Sequence, residues 1–117
     1  MAVVLDEAEF ERLVEQALDE IPDDIIDLID NCVLVIEDRA PAPDEDLLGY
    51  YDGTPLSERD SQYAGVLPDR IVIFREAILE LCESRDEVVE EVRITVWHEI
   101  AHFFGIDDDR LEELGYD

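Results

Sequence analysis

The sequence predicts a single α+β domain, and three observations carry that expectation. Residues 6–21 repeat apolar side chains at helical spacing. Two short β-branched runs, Cys32–Ile36 and Arg70–Phe74, read as strands. A long helical pattern then runs from Ser84 to Phe104. The length of 117 residues suits one domain, 1–117, because domains commonly run to about 100–150 residues.

The elements follow in order. Phe10, Leu13, Val14, Ala17, Leu18 and Ile21 form one stripe of the first helix, with acids on the opposite face. Pro22 and two aspartates interrupt it, and Ile25, Ile26, Leu28 and Ile29 predict a short helical turn before Asn31. Cys32-Val33-Leu34-Val35-Ile36 is continuous and β-branched, as expected of a buried strand. Pro41 and Pro43 among acids predict a loop, and Leu47–Tyr51 followed by Asp52-Gly53 a short strand and turn. Residues 54–69 show no period and read as a long loop. After the strand at Arg70–Phe74, Glu76–Cys82 has short helical character. Ser84-Arg85-Asp86-Glu87 fits a capping box, in which the Ser and Glu side chains satisfy the first unpaired amides of a helix. Val88, Val89, Val92, Val96, Ile100 and Phe104 follow with helical period, and Gly105 is a natural stop. Three aspartates, 107–109, precede a last short helix that ends at Gly115.

Charge narrows the partners. Thirty-four acidic residues against eight basic ones, all Arg, give a net charge of −26. Affinity for nucleic-acid phosphates comes from cationic side chains that release counterions, so direct DNA or RNA binding is excluded. Docking to anionic membrane surfaces is disfavoured for the same reason. The start has an acid at position 6 and no basic segment, and no apolar run approaches the ~18 residues of a membrane span. Cys32 and Cys82 have no metal-like spacing and read as buried free thiols, so a cytoplasmic location is expected.

The long helix ends in Trp97-His98-Glu99-Ile100-Ala101-His102-Phe103-Phe104-Gly105, and the two histidines of the motif are the only two in the chain. Residues four apart lie one turn apart on one helix face, so His98 and His102 can hold one ion. Glu99, the next residue round the helix, can flank the open metal position and accept a proton from water. Gly105 lets the chain leave the helix in a left-handed conformation and fold back. Asp108, six residues after His102, can then reach the ion as third ligand; Asp107 and Asp109 remain alternatives. The three aspartates also suit helix N-capping, and Asp109 with Glu112 fits a capping box of its own. Two imidazoles, one carboxylate and a water make the open tetrahedral site of catalytic zinc.

The run from His98 to Asp108 matches HExxHxxGxxD and resembles the zincin metallopeptidases whose third ligand is aspartate. The stretch from Leu67-Pro68-Asp69-Arg70 to Leu114-Gly115-Tyr116 resembles the small bacterial zincin-like family, single domains near this length that form a minimal zincin scaffold. The likeness covers the C-terminal half by residues and the N-terminal helix and strand by layout. It implies a small twisted mixed sheet packed on the motif helix, with the first helix on the same sheet. It also implies Zn2+ as cofactor, His98, His102 and Asp108 as ligands, Glu99 as general base, and a peptide or protein substrate. Arg70–Phe74 is, by resemblance, the edge strand that would pair with the substrate. Larger zincins floor the metal with a methionine turn, but the single methionine here is Met1. Tyr116 is expected to take that place and to stabilise an oxyanion. The functional expectation is a zinc-dependent metallopeptidase; the alternative is a catalytically inactive zincin-like binding or interaction module. A homodimer is also expected, because a twin would cover the edges of so short a sheet.

Overall fold

The computed structural model describes residues 3–27, 29, 32–53 and 68–106. Within them the order is α1 (Glu7–Asp19), α2 (Asp23–Ile26), β1 (Cys32–Glu37), β2 (Gly49–Asp52), β3 (Asp69–Phe74), α3 (Arg75–Leu81) and α4 (Arg85–Phe103). This is the α+β arrangement that the apolar periods predict. The residues expected to form the final helix and most of the long loop lie outside the described residues.

The amphipathic pattern of α1 is satisfied by burial of Phe10, Leu13, Val14 and Ala17. Asp6 caps its N-terminus, accepting the Glu9 amide at 2.8 Å, and the first-turn acids Glu7 and Glu9 suit the positive end of the helix dipole. At the start of α4, the Ser84 hydroxyl accepts the Glu87 amide at 3.2 Å. The Glu87 carboxylate accepts the Glu83 amide at 2.8 Å, one residue before the partner a capping box would give it. Val88, Val92, Val96, Ile100 and Phe103 turn one face of α4 into the core. There Val88, Val92, Val96 and Ile100 meet Phe10, Leu13 and Val14 of α1, Ile71 and Ile73 of β3, and Ile78 of α3.

The sheet has the order β1-β3-β2. β1 runs parallel to β3, with Cys32 opposite Asp69 and Glu37 opposite Phe74. β2 is antiparallel to β3, with Gly49 opposite Ile73 and Asp52 opposite Arg70. β3 is therefore the central strand, which corrects its expected place at the edge. Its side chains explain the position. Ile71 and Ile73 face the main core, whereas Val72 and Phe74 face a second cluster with Ala40 and Ala77. A strand apolar on both faces is costly at an edge and favourable in the middle. β1, expected to be buried, lies at the margin of the described sheet instead: Val33 is 46% exposed and Glu37 is exposed. Cys32 is correspondingly only half-buried, while Cys82 is buried; both are free thiols.

Among the described residues, no helix is long and apolar enough to cross a membrane.

Candidate functional site

The C-terminal half of α4 carries the chemistry. His98 and His102, one turn apart, are both half-buried, and their rings meet edge to face at 4.8 Å between centroids. Their Nε2 atoms lie 3.1 Å apart, so in the absence of metal one Nε2–H donates to the other nitrogen. The same separation provides a test of fit for zinc. Two nitrogens at the Zn–N distance of ~2.0–2.1 Å in a tetrahedral site stand about 3.3 Å from each other. The observed pair needs only a few tenths of an ångström to satisfy that requirement. Both histidines thus bring the same ring nitrogen close enough together for one ion to bridge them.

Glu99 is only 6% exposed, although it belongs to the residue class least often buried. It and Thr95 form the flank of α4 turned toward β2. Gly49 makes that approach possible: a Cβ there would stand 2.7 Å from Thr95 Cγ2 and 3.2 Å from Glu99 Oε2. Any side chain at position 49 would push the strand off the helix or displace the carboxylate.

Between β2 and α4 runs a groove. One part, with a volume of 380 Å³, is lined by Gly49, Tyr50, Tyr51, His98, Glu99 and His102. A second part of 300 Å³ continues past Leu48, Ile94 and Thr95 to Glu91. The two share Leu47, Gly49, His98 and Glu99 as walls, so the histidines sit along one continuous cleft. Tyr51 is held in its wall from two sides. Its ring packs edge to face on Phe103 at 6.3 Å, and its hydroxyl donates to Asp69 Oδ2 of β3. Asp69 is itself buried.

The end of α4 forms a Schellman reversal. Gly105 has φ of 87°, its amide reaches the His102 carbonyl at 2.9 Å, and the Ile106 amide reaches that of Ala101 at 3.0 Å. Glycine is required here because other residues adopt this backbone only with strain. The expected turn-back after His102 therefore begins where the sequence places it. Asp108, its alternatives Asp107 and Asp109, and Tyr116 lie outside the described residues. Among the described residues, no group of three or more His, Cys, Asp or Glu side chains gathers around one metal position.

Four residues of this site were not singled out by the motif. Gly49 had a legible signal, since a glycine inside a strand often marks a close backbone approach. Tyr51 had none beyond strand propensity, because its position depends on the pairing of β2 with β3. Glu91 and Thr95 could have been found by extending the stripe backward from His98 in steps of 3 and 4.

Comparison with known proteins agrees with the fold. The family model described as "Zincin-like metallopeptidase" matches residues 29–116. A solved structure, a conserved hypothetical protein from Thermus thermophilus, is similar with a TM-score of 0.58 at 26% identity. The match covers 96% of this chain and 100% of that one. No curated protein matches the sequence.

Proposed function

The chain belongs to the family of zincin-like metallopeptidases, and from that premise we propose that it is a zinc-dependent peptidase. The observation that carries the reading is the 3.1 Å approach of His98 Nε2 and His102 Nε2, beside a buried glutamate in a cleft. In this reading His98 and His102 are two ligands, and Asp108 is the third, delivered by the reversal at Gly105. Zinc bound there supplies Lewis-acid chemistry, lowering the pKa of a water toward ~7 and polarising a carbonyl.

The chain's own groups do the rest. Glu99 takes a proton from the attacking water at its carboxylate and returns it to the leaving amine. Its carboxylate lies close to Gly49, and the residue lines the cleft beside both histidines. Tyr116 is proposed to donate a hydrogen bond to the developing oxyanion of the substrate. The strand that receives an extended peptide is β2, not β3. Among the described residues β3 has partners on both sides, whereas β2 has one only on the β3 side and borders the cleft, and a strand with an unpaired side can add a further strand through main-chain hydrogen bonds.

A peptide library tests this reading. The zinc-loaded wild type is expected to cleave, and Glu99→Gln to lose about 10²–10⁴ of the rate while retaining zinc. Equal cleavage by both would remove Glu99 from the mechanism. Absence of cleavage by the zinc-loaded wild type would leave a zincin-like binding module.

A further inference from the structure

The cleft extends well past the histidines, and its far end differs in chemistry from its centre. Glu91, Thr95, His98 and His102 lie along one stripe of α4 at steps of 4, 3 and 4. From His98 the wall continues through Leu47, which is 40% exposed, and through Leu48 and Ile94, to Glu91. No basic side chain among the described residues pairs with Glu91; on the same helix Arg93 is taken by Glu90 at 2.8 Å. Among the described residues Glu91 thus offers its charge to a cation that arrives with the ligand.

We infer that the cleft selects extended peptides carrying an apolar side chain against Leu47 and Ile94 and a Lys or Arg against Glu91. This rests on the peptidase reading for the position of the reacting bond and adds a substrate class to it. The spacing follows from geometry. Glu91 is seven residues before His98, about 10 Å along the helix at ~1.5 Å per residue. An extended peptide covers ~3.3 Å per residue, so the basic residue falls about three positions from the bond beside the histidines. Charge favours this occupant over a second copy of the chain. A chain of net charge −26 repels its twin and attracts a cationic peptide over a distance.

The test separates a local contact from the general field. Peptides of ten residues, each with one apolar anchor and a single Lys walked along the sequence, are titrated calorimetrically into the full-length Glu99→Gln chain loaded with zinc. One Lys position is expected to bind about 5- to 10-fold tighter than its Gln counterpart, the size of a partly exposed charge-assisted contact. That preference is expected to vanish in Glu91→Gln, to invert toward Glu in Glu91→Arg, and to persist in Glu11→Gln, which lines a separate cavity. Equal gain from Lys at every position would overturn the inference, as would a preference that survives Glu91→Gln or failure of every peptide to bind. Selective binding without cleavage by the wild type would support the Glu91 contact and dismiss the peptidase reading.

Discussion

At Gly49 a single methyl group decides how closely β2 and α4 can meet. Gly49→Ala is expected to destabilise the fold by about 1–3 kcal/mol, the usual cost of overpacking. The added methyl must displace Thr95, Glu99 or the Val72 carbonyl, which lies 3.2 Å away. Adding Thr95→Ser removes the closest of these atoms and is expected to restore part of the loss, as urea denaturation of the wild type and the two variants can show. A double mutant no more stable than Gly49→Ala would mean that the strand moves as a whole. Cys82 provides the titration at this scale. Burial pushes its thiol above the ordinary value of 9.0, and the carboxylates of Glu91 and Glu87 push it further. The folded chain thus keeps a proton that the unfolded chain releases, so stability is full below pH 9.0 and falls as pH rises through the folded value. Replacement by Ala is expected to flatten that alkaline slope in melts recorded across pH, whatever it does to the level at neutral pH.

At the scale of elements, α4 has to deliver two imidazoles and a carboxylate from a rigid rod. Ser84→Ala removes the acceptor for the Glu87 amide and is expected to cost about 1 kcal/mol in chemical denaturation. The effect on the histidines should be small, because they are more than three turns away. Gly105→Ala acts at the other end. Its φ of 87° strains any side chain, and the expected loss is about 1 kcal/mol. If the reversal also delivers Asp108, zinc affinity should fall with it, which Ser84→Ala should not do. What was legible in the sequence divides along the same line. The helix, its cap, its stop and the histidine pair are local patterns, decided by residues three to five apart. The order of the strands is not local. Cys32–Ile36 and Ile71–Phe74 are both continuous apolar runs, and nothing in either states which one has two neighbours. Only the division of Ile71 and Ile73 from Val72 and Phe74 between two clusters makes β3 central. That misplaced strand carried the expected substrate edge with it, and the proposed reading moves that edge to β2.

Over the whole molecule the dominant electrostatic fact is repulsion. Exposed pairs such as Arg75–Asp38 at 2.9 Å and Arg39–Glu80 tie the segment after β1 to α3. Arg39 holds the Glu80 carboxyl below its usual range, so this pair favours the fold at neutral pH and fades as pH falls through the lowered value. Both partners are solvated, and such pairs contribute little. The mutual repulsion of thirty-four acids, set against only eight arginines, outweighs them. Raising salt is therefore expected to raise the melting temperature, because screening relieves more repulsion than attraction. A melting temperature that falls with salt would show that the few pairs outweigh the net field. Zinc should add to the effect of salt and in a different manner: its contribution saturates with the metal and disappears in His98→Ala.

Zinc stoichiometry measured on the full chain by titration calorimetry tests the central claim most directly. The wild type is expected to bind one zinc ion per chain, with release of binding as pH falls and protons compete for the imidazoles. His98→Ala and His102→Ala should each abolish that binding while the chain stays folded. Zinc bound equally by the wild type and by both histidine variants would instead place the metal among surface acids and end the account of a zincin site on α4.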